Sequence, residues 1–442
     1  MDFAKQVRIA KTLNKAWKAV QRNSQTSKSI ETRREVEAFE ANSQSNLKRI
    51  ADQLLHRKFI FPAAKGVPIQ KAKGKRGDIR PLVVAKVEAR IVQRAIHDVL
   101  IEVPSIRRYV RTPYSFGGVR KEKDDSVSAV PAAIDAAMAA IGDGFSYYIR
   151  SDITAFFTKI PKSAVAALVS DAVGHQSEFM DLFRRAIHVE LENMARLART
   201  VNAFPIYDIG VAQGNSLSPL LGNILLYDFD QQMNGNPDAV CLRYIDDFII
   251  FAKTQQLAEN MFQKAIHILA SHGMSVAKHK TVKGLVRDKF EFLGIEFANG
   301  LLRPCSASRH RMILSIDKIL ISSRDALRGF KKTGELNRQC SFLHTLLKVS
   351  GIVQGWGAHY WFCKDRSCFD EMDKRIGTMI SRYFGVVRDE REGCTNLQKW
   401  QMLGLTPLSN MQRRPFVWPK KGEKYISSVN PPPPAIPIPI TR

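Results

Sequence analysis

Two adjacent carboxylates inside an apolar segment constrain this chain more than any other feature of its sequence. Asp246 and Asp247 stand in "CLRYIDDFIIF", residues 241–251, with hydrophobic residues on both sides. The pattern predicts a β-hairpin that carries the acids at its tip. A simple turn is the alternative, but turns usually add Gly or Asn, and here Phe248 follows. Because like charges beside an apolar run are costly without a compensating cation, the segment favours a metal site.

A third carboxylate stands in a similar setting. Asp152 lies near the end of "YYIRSDI", residues 147–153, which predicts a strand. Three carboxylates at the ends of neighbouring strands would suit two divalent cations about 4 Å apart, an arrangement that activates a hydroxyl and stabilises a leaving oxygen in phosphoryl transfer. Mg²⁺ favours a few carboxylates together with waters and substrate phosphates. The prediction requires the strands of Asp152 and Asp246 to be neighbours, which their spacing in the sequence does not decide.

The charge of the chain indicates the kind of partner that it binds. Its 442 residues include 67 Lys+Arg against 42 Asp+Glu, which gives a formal net charge of +25. An excess of this size favours a polyanion, because each neutralised phosphate releases condensed counterions. Nucleic acid is the leading candidate and an anionic membrane surface the weaker one. A basic protein that is merely soluble is the plain alternative.

Cysteine spacing and hydropathy indicate the cellular compartment that we expect for the protein. None of the six cysteines forms a CxxC pair or stands beside histidines at zinc-ligand spacing. No apolar run approaches the roughly 20 residues of a spanning helix, and the N-terminus lacks an apolar signal core. We therefore expect a reduced cytoplasmic protein without a membrane partner.

Hydrophobic periodicity predicts both helices and strands along the chain. Apolar residues recur at three- and four-residue steps over residues 1–55, with lysine and arginine between them, which predicts basic helices. The remaining predictions are two short strands around a Gly/Lys-rich loop at 59–84, helices at about 87–100, 128–141 and 256–272, a helix opened by Pro161, strands at 147–153, 241–252 and 288–297, helices from about 308 to 385, and an extended Pro-rich end.

Six segments occur in an order that resembles reverse transcriptases of the prokaryotic group II intron-like lineage. "RYIDDF" is similar to the YxDD box of these enzymes, and "SDITAFFTKI" is similar to the motif that supplies their first catalytic aspartate. The other four segments are "GKRGDIRPLVVAKVEARIVQRAI" for the fingers, "VAQGNSLSPLLGN" for the Gln-Gly…Ser-Pro…Asn motif, "KFEFLGIEF" for the primer-grip hairpin and "GIVQGWGAHYW" for the thumb. A lone YxDD would be a weak signal, whereas six motifs in one order, over about residues 55–385, are specific.

The resemblance implies an α+β fold of the right-hand polymerase type, with fingers, a palm built on an antiparallel sheet, and a helical thumb. It also implies an RNA template, nascent DNA and dNTPs as partners, with Phe292, Leu293 and Gly294 of the primer-grip hairpin contacting primer or template. The sequence does not decide the oligomeric state. The implied divisions are N-terminal helices and fingers at 1–125, a palm at 126–300 with a fingers insertion at about 161–205, a thumb at 301–410, and a basic, Pro-rich tail at 411–442.

The resemblance also assigns the carboxylates. Asp152 and Asp246 would hold two Mg²⁺ ions, with Asp247 supporting the site. Lys280, in "AKHKT", matches the basic residue that follows the YxDD helix in the family and would assist the pyrophosphate leaving group. An ordinary exposed lysine is the alternative for this position.

Two basic residues fall where the fingers of the family contact the incoming triphosphate. These are Lys73 and Arg80, and their chemistry suits the role because a guanidinium binds phosphate bidentately while lysine supplies a mobile point charge. A solvated basic loop is the alternative, and Lys71 and Lys75 compete with Lys73 for the contact.

Three further residues would define the nucleotide pocket. Phe157 falls at the steric gate of the family, where a planar aromatic clashes with a 2′-OH and so selects dNTPs; a core aromatic is the alternative. Gln213 would contact template or nucleotide, and Gly214 would let the backbone approach the nascent base pair. The chain departs from the family at Asn215, where glycine is frequent.

The sequence extends only a short way beyond the thumb-like region, and it most resembles freestanding defence-associated reverse transcriptases, which are often paired with a noncoding RNA. We therefore expect a cognate structured RNA as template, in an antiviral, antiphage setting. The basic N-terminal residues are candidates to bind it, and a solvated helix face is the alternative. They are Lys5, Arg8, Lys11, Lys15 and Lys18.

Four functions compete on these grounds. The first is RNA-templated DNA synthesis, and the second is untemplated or protein-primed DNA synthesis on the same fold. The third is a maturase-like RNA-binding scaffold without catalysis, which has no need of mutually repelling acids. The fourth is metal-dependent nuclease chemistry, which leaves the Gln-Gly and primer-grip segments unexplained. We rank them in this order.

Overall fold

The computed structural model describes residues 2–27, 29–70, 79–119, 121–122, 124–127, 129–406, 408 and 421–422. The chain divides into two compact units, Met1–Gly300 and Leu301–Arg442. The predicted division into fingers, palm, thumb and tail remains a prediction. None of the described helices is long and apolar enough to cross a membrane.

The first unit opens with helices, as the periodicity predicts. The apolar stripe of the second helix is buried, including Leu13, Trp17 and Val20, while Lys15 and Lys18 are exposed. Ser29 caps the third helix by accepting a hydrogen bond from the backbone N–H of Thr32. The helices are α1 (Phe3–Arg8), α2 (Ala10–Gln25), α3 (Ile30–Ala41) and α4 (Ser43–Leu55).

A two-stranded antiparallel ribbon follows, with Lys65 opposite Val84 and Ile69 opposite Arg80. The loop between its strands, residues 71–78, lies outside the described residues, and with it the predicted triphosphate contact Lys73. The elements of this region are β1 (Lys65–Gln70), β2 (Ile79–Val84), α5 (Val87–Leu100), α6 (Pro104–Val110) and α7 (Val130–Gly142).

A four-stranded antiparallel sheet forms the centre of the first unit. Its strands are β3 (Tyr147–Asp152), β4 (Ala239–Tyr244), β5 (Asp247–Ala252) and β6 (Val282–Leu285), in the order β4-β5-β3-β6. Fully buried residues such as Ile149, Phe248 and Ile250 anchor the sheet in one large apolar core. The mixture of helices and antiparallel strands confirms the predicted α+β class.

Six further helices complete the first unit around this sheet. Pro161 occupies the N-cap position of α8, so the prediction that it opens a helix is confirmed. A short hairpin of β7 (Phe290–Phe292) and β8 (Ile295–Ala298) follows, joined by Leu293 and Gly294. The helices are α8 (Lys162–Val173), α9 (Ser177–Ile187), α10 (Met194–Leu197), α11 (Ser218–Leu225), α12 (Tyr227–Met233) and α13 (Gln255–Ser271).

The second unit is mainly helical and has its own core, which includes Ile316, Leu327, Phe330 and Tyr383. The sequence predicts a helical stretch here, and the structure divides it into separate helices. The first of them ends at Thr333 and is capped by Gly334, which has a φ of 71°. The elements are β9 (Leu301–Pro304), α14 (Ser306–Thr333), α15 (Phe342–His359), α16 (Arg366–Arg391) and α17 (Asn396–Leu403).

Candidate active site

The three predicted carboxylates meet at one end of the central sheet. The antiparallel register of β3 and β5 sets Asp152 opposite Asp247, and the backbone N–H of Ile153 donates to the carbonyl of Asp246 at 2.8 Å. Asp246 itself lies with Ile245 in the two-residue connection between β4 and β5. The strands of Asp152 and Asp246 are therefore neighbours, as the metal-site prediction requires.

Asp246 is strongly perturbed by its electrostatic environment. Burial raises the pKa of its carboxyl to about 6, and the charge of Asp152 adds to the effect. Its anion is thus destabilised by the surrounding protein and would be stabilised by a nearby divalent cation. A few carboxylates, completed by water and phosphate oxygens, are the donors that Mg²⁺ prefers, so the chemistry of Asp152 and Asp246 fits the implied metal.

Asp247 has a different environment. Its carboxylate accepts hydrogen bonds from Arg150, from Nε at 3.2 Å and from Nη2 at 3.0 Å. Burial raises the pKa of Asp247, while the arginine opposes that rise. Within the described parts of the chain, no three His, Cys, Asp or Glu side chains are grouped so that they could hold a metal ion. The role of Asp247 as a metal ligand therefore remains a prediction, and the arginine is its partner here.

Lys280 contacts the same cluster from the other side. Its ammonium lies 3.1 Å from Oδ2 of Asp152, and its side chain is 54% exposed. The sequence predicts a basic residue that would serve the leaving group, and the structure brings this lysine to the first carboxylate. A positive charge at this place is compatible with the predicted role, which remains a prediction.

Arg150 is a site residue that the sequence interpretation missed. Arg150 holds Asp247, and its Nη1 also donates to the carbonyl of Glu291 in β7 at 3.0 Å. One guanidinium thus joins the β4–β5 hairpin, which carries Asp246 and Asp247 and is called the acid hairpin below, to the β7–β8 hairpin. The signal was present in the sequence, because residues two apart on a strand share a face. Arg150 precedes Asp152 by two positions in an otherwise apolar strand.

Backbone contacts bring three of the predicted nucleotide-pocket segments together. The N–H of Val83, in the strand that carries Arg80, donates to the carbonyl of Gln213 at 2.9 Å. The N–H of Val211 donates to the carbonyl of Phe157 at 2.7 Å. The structure therefore assembles the β2 strand, the Phe157 turn and the Gln213 segment as neighbours, with Arg80 exposed.

The local structure explains the glycine and the aromatic pair in this region. Gly214 has a φ of +110°, and a Cβ there would lie 2.9 Å from the carbonyl oxygen of Val83. Its need for glycine thus has a structural reason besides the predicted approach to a base pair. Phe156 is buried, whereas Phe157 is half-buried beside it, with ring centroids 5.3 Å apart. Phe157 is therefore the more accessible of the two rings.

The predicted primer-grip segment does form a hairpin, but its three residues are not equivalent. Phe292 is fully buried in the core, so its side chain is not available to a nucleic acid. Leu293 and Gly294 form the turn and are half-buried. Contact with primer or template, which remains a prediction, would fall on these two residues.

A cavity of about 430 Å³ lies beside Gln213 and does not include the carboxylates. Its walls are mostly apolar and come from the segment before β1, from β2, from α5 and from the end of α9. Asn215 reaches it from the Gln-Gly motif.

The family of the chain follows from this arrangement together with its sequence. A family model described as "Reverse transcriptase (RNA-dependent DNA polymerase)" matches residues 69–297, slightly more than half of the chain. The match includes all three carboxylates, the Gln-Gly segment and most of the β7–β8 hairpin. The chain belongs to the reverse transcriptase family.

Two curated relatives are similar over parts of the chain. The uncharacterized 91 kDa protein in cob intron of Schizosaccharomyces pombe (strain 972 / ATCC 24843) is 26% identical over 186 residues, which are 41% of this chain and 20% of that protein. Protein YkfC of Escherichia coli (strain K12) is 26% identical over 290 residues, which are 56% of this chain and 70% of that protein. The chain thus spans only a fifth of the first relative.

Two solved structures are distantly similar. Apo telomerase from Candida tropicalis is 14% identical with a TM-score of 0.40, covering 78% of this chain and 69% of that one. The partial Cas6-RT-Cas1–Cas2 complex is 18% identical with a TM-score of 0.34, covering 62% and 43%. Scores this low place no constraint on the function of the chain.

Proposed function

We propose that the chain is an RNA-directed DNA polymerase that adds dNTPs to a primer 3′-OH. The observation that supports it best is the meeting of Asp152 and Asp246 at the end of neighbouring strands, where burial and mutual repulsion destabilise the Asp246 anion. When bound, two Mg²⁺ ions would activate the primer hydroxyl and stabilise the leaving oxygen. Asp152 and Asp246 would hold them, with Asp247 kept in place by Arg150.

The residues around the carboxylates would bind and orient the substrates. Arg80 would hold the triphosphate through its guanidinium, together with Lys73, which lies outside the described residues. Phe157, the accessible ring of its pair, would exclude a 2′-OH. Gln213 would contact the template or the nucleotide, and Lys280 would neutralise charge on the departing pyrophosphate.

The exposed basic face of α2 supports RNA as a partner. Lys11, Lys15 and Lys18 are exposed at four- and three-residue spacing, so they share one helix face about 10 Å long. Arg8, which the sequence groups with them, is instead paired with Glu178 at 3.2 Å. A row of cations of this length suits a phosphate backbone, in agreement with the net charge of +25.

The proposal includes a cognate structured RNA as template and a role in antiviral defence. Both parts depend on the resemblance to freestanding defence-associated enzymes, and the basic face of α2 supports only the RNA part. The RNA part is therefore tested through the nucleic acid that accompanies the protein.

The experiment is incorporation of labelled dNTPs by the full chain purified with its cellular nucleic acid, in Mg²⁺, with sequencing of the products. The inactive variant is Asp246→Asn, and the matched control is Asp181→Asn, a carboxylate exposed on α9. DNA complementary to a co-purified RNA, made by the wild type and the control only, would support the proposal and identify the template.

The other outcomes decide between the alternatives. Products that match no co-purified RNA would favour untemplated or protein-primed synthesis. If the wild type and Asp246→Asn are equally silent while RNA remains bound, the RNA-binding scaffold replaces the polymerase as the better proposal.

A further inference from the structure

Arg243, on strand β4 of the central sheet, is a completely buried cation. It lies on β4 with an exposed fraction of 0%, and its guanidinium pairs with the carboxylate of Asp230 on α12, Nε to Oδ1 at 2.8 Å. The carboxylate is equally buried, at 1%. Because a buried ion pair is often no more stabilising than two apolar residues of similar size, fold stability alone does not explain why it is present.

The remaining donors of this guanidinium point to the acid hairpin. Nη1 of Arg243 donates to the carbonyl oxygen of Ile245 at 3.0 Å and to Oδ1 of Asn223 at 3.1 Å. Ile245 is the residue directly before Asp246 in the connection between β4 and β5. The buried charge thus bonds to the backbone that carries the proposed metal ligand.

That backbone has a conformation which needs support. Ile245 has a φ of +61°, in the left-handed region that β-branched residues rarely adopt. Such residues persist where the surrounding structure holds them, and they cluster at functional sites. The hydrogen bond from Arg243 is one constraint on this conformation.

The close approach of Gly117 to Ile245 is a second constraint. A Cβ on Gly117 would lie 2.6 Å from Cγ1 and 2.7 Å from the backbone nitrogen of Ile245, so only glycine permits this approach. The carbonyl of Gly117 accepts a hydrogen bond from Nδ2 of Asn223 at 2.9 Å. Asn223 therefore connects both constraints, since it bonds to Arg243 and to Gly117, which both contact Ile245, while Asp230 holds the guanidinium. We name these four residues the turn cradle.

We propose that the turn cradle is a set of positioning residues that fixes Ile245 in its strained conformation and thereby places the carboxylate of Asp246. Its effect on catalysis rests on the polymerase function proposed above, whereas its effect on the turn does not. An apolar pair in place of Arg243 and Asp230 would fill the same space but would leave the Ile245 carbonyl without its donor.

The test is the double variant Arg243→Met/Asp230→Leu in the full chain, because replacing both ions by apolar residues keeps the core filled. The matched control is Arg94→Met/Asp98→Leu, an ion pair of α5 with the acid 2% exposed and a separation of 2.9 Å. Hydrogen exchange of a peptide covering residues 243–248 reports on the turn without any metal or substrate. Thermal unfolding and single-nucleotide kinetics in Mg²⁺ complete the set.

We expect exchange at the acid hairpin to quicken at least tenfold in the turn-cradle variant only, with the β7–β8 turn unchanged. We expect kcat to fall about a hundredfold while KM for dNTP stays within threefold. Arg243→Lys, which keeps the charge but loses the planar fork, serves if the double variant does not fold. It should show the same acceleration of exchange.

The outcomes separate this inference from the proposed function. A folded double variant, or a folded Arg243→Lys, with wild-type exchange and kcat would overturn the turn cradle. A wild type that makes no DNA would overturn the proposed function, and exchange at the acid hairpin would still decide the positioning role.

Discussion

The two hairpins of the first unit differ in how their turns are stabilised. Both join antiparallel strands through two residues, Ile245–Asp246 in one and Leu293–Gly294 in the other. The second turn has φ values of +50° and +78°, the pattern of type I′ turns, with glycine at the second position. The first has its positive φ at isoleucine, where hairpin turns usually place glycine.

The difference shows what the functional hairpin requires. Gly294 has no atom within 4 Å of the position of a Cβ, so no close approach requires glycine there and its φ of +78° alone accounts for it. The Ile245–Asp246 turn, called the acid turn below, instead has a β-branched residue at its positive φ and is held by the turn cradle. Where the carboxylates are placed, the backbone thus adopts a conformation that its own residue does not prefer, and contacts with residues distant in the sequence stabilise that conformation.

The largest effect should come from a methyl group placed against the acid turn. We expect Gly117→Ala to lower kcat at least a hundredfold, because its Cβ would collide with backbone and side chain of Ile245 and displace Asp246. Unfolding by denaturant should also show a loss of about 2 kcal/mol or more. The control is Gly142→Ala, at the end of α7 with nothing within 4 Å.

Gly142→Ala should leave kcat unchanged. If Gly117→Ala behaves in the same way, the acid turn tolerates displacement, and the contrast between the two hairpins loses its functional meaning.

The next effect concerns stability without divalent cations. The pKa of Asp246 is raised from 3.8 to about 6, so between these values the folded state binds more protons than the unfolded state. Stability therefore falls as pH rises through this range, by at most about 3 kcal/mol. Asp246→Asn should remove this dependence and be the more stable protein at pH 7, as denaturant unfolding at pH 4 to 8 would show.

Mg²⁺ should partly restore stability to the wild type at pH 7 and have less effect on the variant. Asp181→Asn, with its exposed carboxylate, should follow the wild type throughout. A variant that is less stable than the wild type at neutral pH would contradict the destabilised anion.

These hairpins also show what the sequence could predict. Asp152, Asp246 and Asp247 were identified because acids within apolar strand segments are unusual, and strand periodicity placed them at strand ends. The β7–β8 hairpin was expected from the resemblance of "KFEFLGIEF" to a primer-grip hairpin, whereas periodicity predicted strand over 288–297. These features depend on neighbours within a few positions, and the structure agrees with them.

The supports of the acid turn could not be predicted in this way. Arg243 bonds to Asp230 and Asn223, which are 13 and 20 positions away on other elements. The need for glycine at Gly117 arises from Ile245, far along the chain. The strand β6 was missed because its four residues are exposed or half-buried and show no apolar alternation. The partners of Arg243, the glycine at position 117 and the pairing of β6 all depend on tertiary contacts, which no local sequence pattern predicts.

A smaller effect should follow from separating the two hairpins. Arg150→Gln removes the cation that bonds both Asp247 and the carbonyl of Glu291. We expect a loss of about 1–2 kcal/mol at pH 7, less than for a fully buried pair because these side chains are 26% and 19% exposed.

The loss should shrink towards pH 5, because Asp247 without its arginine takes up a proton more readily. Arg57→Gln, which removes an ion pair whose arginine is 70% exposed, is the matched control and should cost little. Equal losses for the two variants in denaturant unfolding would show that Arg150 does not couple the hairpins.

The smallest effect should be at the turn that supports itself. We expect Gly294→Ala to cost about 1 kcal/mol in denaturant unfolding, because alanine at a φ of +78° is strained but meets no neighbour. The same substitution at Gly117 adds no φ strain but a collision, so the two variants separate backbone preference from steric contact. A loss at Gly294 as large as that at Gly117 would mean that the β7–β8 turn is also held by its surroundings, and the two hairpins would then differ in sequence but not in kind.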